Sequence, residues 1–305
     1  MRKIFITRKL PGNPKQFLQK DFQVDENDQD ELFPRDKLIE IIGQCDGILS
    51  TIPDRLDAEM LGHAKKLKVI SNWAAGLDNI DLVAAEKQGI KVFNLPDTVT
   101  ESTADLTMAL FLSLVRRIPE GKEYVLSGKW RGFEPFLLLG EELRGKVFGI
   151  IGYGRIGRAV AQRAAAFGMK VIAYHLKTLS DVTQVPLEEL YATADYISLH
   201  VPLKKETKGM IGYAAMQKMK KHPILINMAR GSIINTDDLV RALKEGVIRG
   251  AALDVTDPEP LPNTHPLCQL PNCLIIPHIG SATIECRTLM SKIAADNLRE
   301  FFHAQ

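Results

Sequence analysis

The chain has 305 residues, 45% of them hydrophobic and 25% charged, with a net charge of +2. That length suits two domains of ordinary size, and so balanced a charge leaves no electrostatic footprint for nucleic acid. No run of about 18 apolar residues occurs, so no membrane-spanning helix is expected.

The first segment, "MRKIFITRKLPG", reads as a strand and a turn rather than a signal peptide. "KIFIT", "GILST", "KVISN" and "KVFNL" read as strands, separated by helical stretches such as "DKLIEIIGQC" and "IDLVAAEKQG". The acidic stretch "DFQVDENDQDEL" reads as a solvated surface segment. One long apolar helix, "STADLTMALFLSLVRRIPEGKEYVLSGKW", is expected from near Ser102. A second series then runs through "KVFGIIG", "KVIAYH", "DYISLHVPL", "PILINMA", "AALDV" and "CLIIPHIG". Such alternation predicts parallel sheets built of βα units, in two domains of related architecture. The last stretch, "SATIECRTLMSKIAADNLREFF", reads as a helix with Ser281 or Thr283 at its cap and Leu289, Ile293 and Leu298 at helical spacing.

Gly152, Gly154 and Gly157 give the spacing G-x-G-x-x-G, after the strand "VFGII" and at the head of the helix "RIGRAVAQRAAAF". Weak alone, the pattern gains force from that context, which is the one a dinucleotide needs. The loop residues Tyr153, Arg155 and Ile156 would then bring backbone N–H groups and the helix dipole to the pyrophosphate. The alternative is a strand-to-helix turn that needs its glycines for packing only.

An NAD site places an acidic residue at the end of the second strand, on the ribose hydroxyls. Here "KVIAY" runs instead into His175, Leu176 and Lys177. A carboxylate at 175 would repel a 2′-phosphate, whereas a His donor and a Lys cation suit one. NADP(H) is therefore the preferred cofactor and NAD(H) a possible one. If Lys177 points to solvent, both serve.

Arg230, Glu259 and His278 fall at or just after strand ends, in "INMARGSIIN", "AALDVTDPEPLPNTHPL" and "PNCLIIPHIGSAT". Ligands of open parallel sheets bind beyond the carboxyl ends of the strands. Reduction of a 2-oxo acid needs a proton at the carbonyl oxygen, and His titrates near neutrality. A paired carboxylate orients the ring and favours its charged form. An Arg fork binds the substrate carboxylate and polarises the carbonyl. Singly, each residue has a bland reading: a surface ion pair, a solvated turn carboxylate, a helix cap. Together with a dinucleotide loop they point to hydride transfer.

Cys45, Cys268, Cys273 and Cys286 match no zinc spacing, so they read as structural thiols with no metal site, in a reducing, cytoplasmic setting. Trp130, Phe133, Phe136 and Leu137 in "SGKWRGFEPFLLLGEELRG" are too many large apolar groups for one loop's core. They suggest a dimerisation arm, against ordinary local packing.

"GYGRIG", "NMARG", "LDVTDPEPLP" and "PHIGSAT", in that order, resemble the D-isomer-specific 2-hydroxyacid dehydrogenases. "NLPDTVTESTADL" and "DVTDPEPLPNTHPL" look most like the glyoxylate/hydroxypyruvate reductases of that family. The resemblance covers essentially the whole chain. It implies an α/β fold of two Rossmann-like domains with parallel sheets. A discontinuous substrate domain, 1–97 plus 283–305, would hold an inserted cofactor domain, 98–282, with the active site in a hinged cleft. It implies Arg230 as substrate ligand and Glu259 with His278 as the acid/base pair. "WAAGLDN" matches the substrate loop, so N–H groups of Ala75 and Gly76 would meet the substrate carboxylate. Thr103, Asp254 and Gly280 match positions at the nicotinamide end. Val201 and Pro202, and Met228 and Ala229 of "NMARG", match the cofactor wall. His200 would be scaffold. The helical segment usual between "YHLK" and "DYISLHVPL" looks nearly absent.

The activity implied is NADPH-linked reduction of glyoxylate and hydroxypyruvate by a homodimer. A D-lactate or aromatic 2-hydroxyacid dehydrogenase, and a non-catalytic NAD(H)-sensing protein, remain alternatives on the same fold. No regulatory domain like that of the larger phosphoglycerate dehydrogenases is expected.

Overall fold

The computed structural model describes residues 1–304. The chain forms two units. One comprises Met1–Val99 and the chain from Ser281; the other is the insert Thr100–Gly280. Each division lies two residues from the boundary read in the sequence.

The first unit has five strands: β1 (Lys3–Ile6), β2 (Gln23–Glu26), β3 (Gly47–Ser50), β4 (Val69–Asn72) and β5 (Lys91–Phe93). They pair in parallel in the order β2-β1-β3-β4-β5. β3 and β4 are buried at every residue, as expected of strands covered on both faces. The acidic stretch read as surface in fact supplies β2. Its strand QVDE buries only Val24 fully. An edge strand can carry charge on its solvent side and still complete the ladder.

The last helix, Ile284–His303, begins at Thr283, whose hydroxyl accepts from the Cys286 N–H. It packs on β4 and buries Met290, Ala294, Ala295 and Leu298. Leu298 is buried as expected, Ile293 only partly so, and Leu289 is exposed.

The second unit has seven parallel strands: β6 (Val147–Ile151), β7 (Lys170–Tyr174), β8 (Thr183–Gln184), β9 (Tyr196–Leu199), β10 (Ile224–Asn227), β11 (Gly250–Leu253) and β12 (Cys273–Ile275). Their order is β12-β11-β10-β9-β6-β7-β8. The chain therefore runs one way from β6 to β8 and the other way from β9 to β12. The reversal between β6 and β9 is the switch point at which such sheets bind ligands.

Two helical expectations need correction. The single long helix is two, Thr100–Val115 and Ile118–Leu126. Arg117 between them has a left-handed φ of 56°, and Pro119, lacking an N–H, suits the first turn of a new helix rather than the middle of an old one. The segment after Lys177 also keeps a short helix, Leu187–Thr193, started at Pro186. Its buried Leu190 and Tyr191 join the core that includes Ile151, Ile197 and Leu225.

Candidate active site

β6 ends in the glycine loop. Gly152 has φ 99°, and a Cβ there would sit 2.6 Å from the His200 carbonyl carbon. Only glycine lets the β6 turn lie against the chain leaving β9. Gly154 then caps the helix Arg155–Ala166, and no side chain fills the cap. Gly154 brings no side chain of its own to the first N–H groups of this helix, an arrangement that suits an anion. Tyr153 is buried against the unit's core and Ile156 partly so. They serve the loop by anchoring it.

Beyond β7, His175 is half-buried while Leu176 and Lys177 are exposed. Lys177 makes no ion pair among the described residues. Two residues overlooked in the sequence shape this corner. Asp181 pairs with Arg158, and that guanidinium lies 4.7 Å from the centre of the Tyr153 ring. Gln184 of β8 bonds the backbone of the same turn. No motif announces either residue. Their signal is proximity in the fold.

Asn227, last in β10, is fully buried and folds "NMARG" back on itself. Its side chain accepts from the Ala229 N–H at 3.1 Å and donates to the Arg230 carbonyl at 2.8 Å. Met228 is a core residue, so only its backbone faces the carboxyl edge of the sheet. Ala229 packs partly against the other core, as does Val201; Pro202 is exposed. The Arg230 guanidinium donates to the Ala229 carbonyl at 2.8 Å and is partly exposed. Next to it, a Cβ on Gly231 would lie 2.0 Å from the Thr256 carbonyl. That contact presses the Arg230 turn onto the turn that carries Glu259.

Glu259 Oε1 lies 2.6 Å from His278 Nδ1. Its other oxygen accepts from the Thr256 N–H at 3.4 Å. Burial alone would raise the Glu259 pKa, but the His278 hydrogen bond and charge, the Thr256 N–H and the Arg230 charge hold it below the usual value. His278 has φ 50°, a conformation unusual for His. Asp254 imposes it: the His278 N–H donates to the Asp254 carbonyl at 2.8 Å, and the Asp254 carboxylate accepts from Ile279 and Gly280 at 2.6 and 2.9 Å. Asp254 is 2% exposed. Burial raises its pKa against those bonds and the nearby His278. Both its oxygens are already engaged, so a carboxamide would have to use their remaining lone pairs. The Thr103 hydroxyl donates to the Gly280 carbonyl at 3.4 Å, which brings Thr103, Asp254 and Gly280 into one cluster.

Burial pushes the His200 pKa down to about 3, and its Nε2 lies 2.8 Å from Ser198 Oγ. In the other unit, Asn94 donates to the Ala75 carbonyl at 2.6 Å and Asn72 to the Gly76 carbonyl at 3.0 Å. Side-chain amides thus fix both peptide planes of "AAG".

A glycine loop at the switch point and a His–carboxylate pair with an Arg on the same sheet edge define a nicotinamide-dependent oxidoreductase. Residues 108–280 match the family model "D-isomer specific 2-hydroxyacid dehydrogenase, NAD binding domain". The chain is 43% identical over 309 aligned positions to a glyoxylate reductase of Thermococcus litoralis, with 98% of this chain and 93% of that one covered. The TT0316 protein from Thermus thermophilus superposes with a TM-score of 0.93 at 43% identity, covering 99% and 97%. An NADPH-dependent glyoxylate/hydroxypyruvate reductase from Sinorhizobium meliloti, solved with NADP and malonate, gives 0.87 at 29% identity, covering 99% and 93%. The chain belongs to the D-isomer-specific 2-hydroxyacid dehydrogenases and is an NAD(P)-dependent oxidoreductase. No helix among the described residues is long and apolar enough to cross a membrane.

Proposed function

We propose that the protein reduces small 2-oxo acids, chiefly glyoxylate and hydroxypyruvate, to 2-hydroxy acids with NADPH. The observation that carries this reading is the Glu259–His278 pair beside Arg230, on the carboxyl edge of the same sheet as the glycine-capped helix start. The names of the relatives support the substrate class.

The nicotinamide, when bound, supplies the hydride. Glu259 takes Nδ1 of His278, so Nε2 is the nitrogen left to give a proton to the carbonyl oxygen. Arg230 binds the substrate carboxylate and polarises the carbonyl. In this proposal the N–H groups of Ala75 and Gly76 also serve the substrate carboxylate, and Thr103, Asp254 and Gly280 the carboxamide. The absence of an acid at His175 and the presence of Lys177 favour a 2′-phosphate.

A panel of 2-oxo acids assayed with NADPH and NADH tests the proposal. The expected result is the highest kcat/KM for glyoxylate or hydroxypyruvate, with NADPH ahead of NADH. A ratio below one overturns the cofactor preference. A better lactate precursor or aromatic oxo acid overturns the substrate. No turnover at all leaves a binding protein.

The proposed enzyme is a homodimer. Phe133 and Phe136 are 95% and 87% exposed, with Trp130 and Leu139 also in solvent. Adjacent large apolar groups left in water mark an association surface. Sedimentation as a monomer at micromolar concentration would overturn this.

A further inference from the structure

We infer that Gln184 is a positioning residue for the cofactor, holding the His175–Leu179 turn in the form that receives the ribose end of NADP(H). This rests on the proposed placement of that turn at the cofactor's ribose. Between β7 and β8, residues 175–182 have no regular structure. β8 is two residues long and lies at the sheet edge, with Gln184 paired to Ala173. From there its side chain does what a longer strand would have done. Nε2 donates to the His175 carbonyl at 2.9 Å and to the Lys177 carbonyl at 3.1 Å, while Oε1 accepts from the Leu179 N–H at 2.9 Å. One amide thereby uses both donors and an acceptor on three backbone groups of a single turn. Asp181, paired with Arg158, fixes the far end of the segment.

These bonds are exposed to water, so their contribution to global stability is small. Their effect is on order. A loose turn must be immobilised when ligand binds, at a cost in affinity, and a turn held in advance escapes most of that cost. His175 and Lys177 project from the turn that Gln184 holds. Loss of the amide should therefore weaken whatever binds there, leaving the Glu259–His278 chemistry alone.

The test uses the full chain and a ligand that cannot react. Binding of 2′,5′-ADP, which carries the 2′-phosphate but no nicotinamide, is measured by titration calorimetry in wild type, Gln184→Met and His175→Asp. Met keeps the length of Gln without charge, donor or acceptor. The expected result is a Kd about fivefold higher or more in Gln184→Met, from the loss of the hydrogen bonds and the order they impose. Hydrogen exchange of the 175–179 amides should be faster, and the KM for the oxo acid at saturating NADPH should be unchanged. His175→Asp should also weaken 2′,5′-ADP, by charge. If His175→Asp weakens binding and Gln184→Met does not, this inference fails and the placement of the turn stands. If neither does, the turn is not at the ribose and both fail. A Gln184→Met protein with a lower Tm and a raised oxo-acid KM shows general damage and also overturns the positioning role. Gln184→Asn keeps an amide of shorter reach and should fall between wild type and Gln184→Met.

Discussion

Glu259 Oε1 and His278 Nδ1 are 2.6 Å apart, although the two residues lie on different loops, with His278 held in a left-handed backbone by its N–H bond to the Asp254 carbonyl. The pair sets the direction of the ring. Replacing His278 with Ala should lower kcat by about 10² or more, the usual effect of losing a general acid, and steady-state kinetics with NADPH reads it directly. Wild-type kcat in that variant refutes the role.

The same contact predicts a pH dependence. His278, Thr256 and Arg230 together outweigh burial and hold the Glu259 carboxyl below its usual pKa. Its contribution to stability is thus present above the ordinary Glu value of about 4.3 and is lost as pH falls through the lower folded value. Glu259→Gln cannot titrate. The Tm difference between wild type and Glu259→Gln should be constant near neutrality and change only below about pH 4.3. A change setting in near pH 6 would assign the linkage to another group.

Arg230→Lys keeps the charge and loses the planar fork. If Arg230 binds the substrate carboxylate as proposed, the KM for the oxo acid should rise about tenfold, with a lower kcat, because Lys offers a point charge in place of two parallel donors. The Kd for 2′,5′-ADP should not move, since Arg230 follows β10 whereas the turn proposed to receive the cofactor's ribose follows β7. Equal losses in both would place Arg230 in the scaffold instead.

Much of this architecture was legible in the sequence because it rests on short-range signals. The glycine spacing lies between a strand and a helix, and Arg230, Glu259 and His278 each follow an apolar run. What escaped depends on partners distant in the chain or on breaks too local for a periodicity. β2 hides in an acidic run because only Val24 is fully buried there. The helix break is one residue, Arg117, in a continuous apolar pattern. The short helix after Lys177 is anchored by Leu190 and Tyr191 against the second unit's core. Gln184 and Asp181 belong to no motif. The resemblance places Asp254 only at the nicotinamide end, whereas the fold shows it fixing the backbone of His278, Ile279 and Gly280.

Gly231 links two loops that each carry part of the site. An added Cβ would lie 2.0 Å from the Thr256 carbonyl, so Gly231→Ala must push the Arg230 turn away from the Glu259 turn. Overpacking of that kind costs about 1–3 kcal/mol, and a small displacement of positioned groups costs about 10² in rate. Activity should therefore fall far more than Tm, by about two orders of magnitude against a few degrees. A variant with normal kcat and a lowered Tm would show that the two turns need not touch for catalysis.

His200 contributes to stability through a proton it does not take. In the unfolded chain a His binds a proton below about pH 6.5. Folded, burial holds His200 neutral down to about pH 3. Between those values the unfolded state carries the extra proton, so stability present above pH 6.5 is lost as the pH falls and levels off only near pH 3. By pH 5 the loss attributable to this one group is about 2 kcal/mol at most. Urea unfolding at pH 7 and pH 5 measures it. His200→Gln retains an amide able to bond Ser198 and cannot be protonated, so it should lose less stability than wild type over that interval. If both proteins lose the same amount, another group carries the linkage. The glycine turn lies against the His200 backbone at Gly152, so wild-type stability and cofactor affinity should decline over the same pH range only if protonation of His200 also loosens that turn, and the 2′,5′-ADP Kd of His200→Gln at pH 5 separates the two effects.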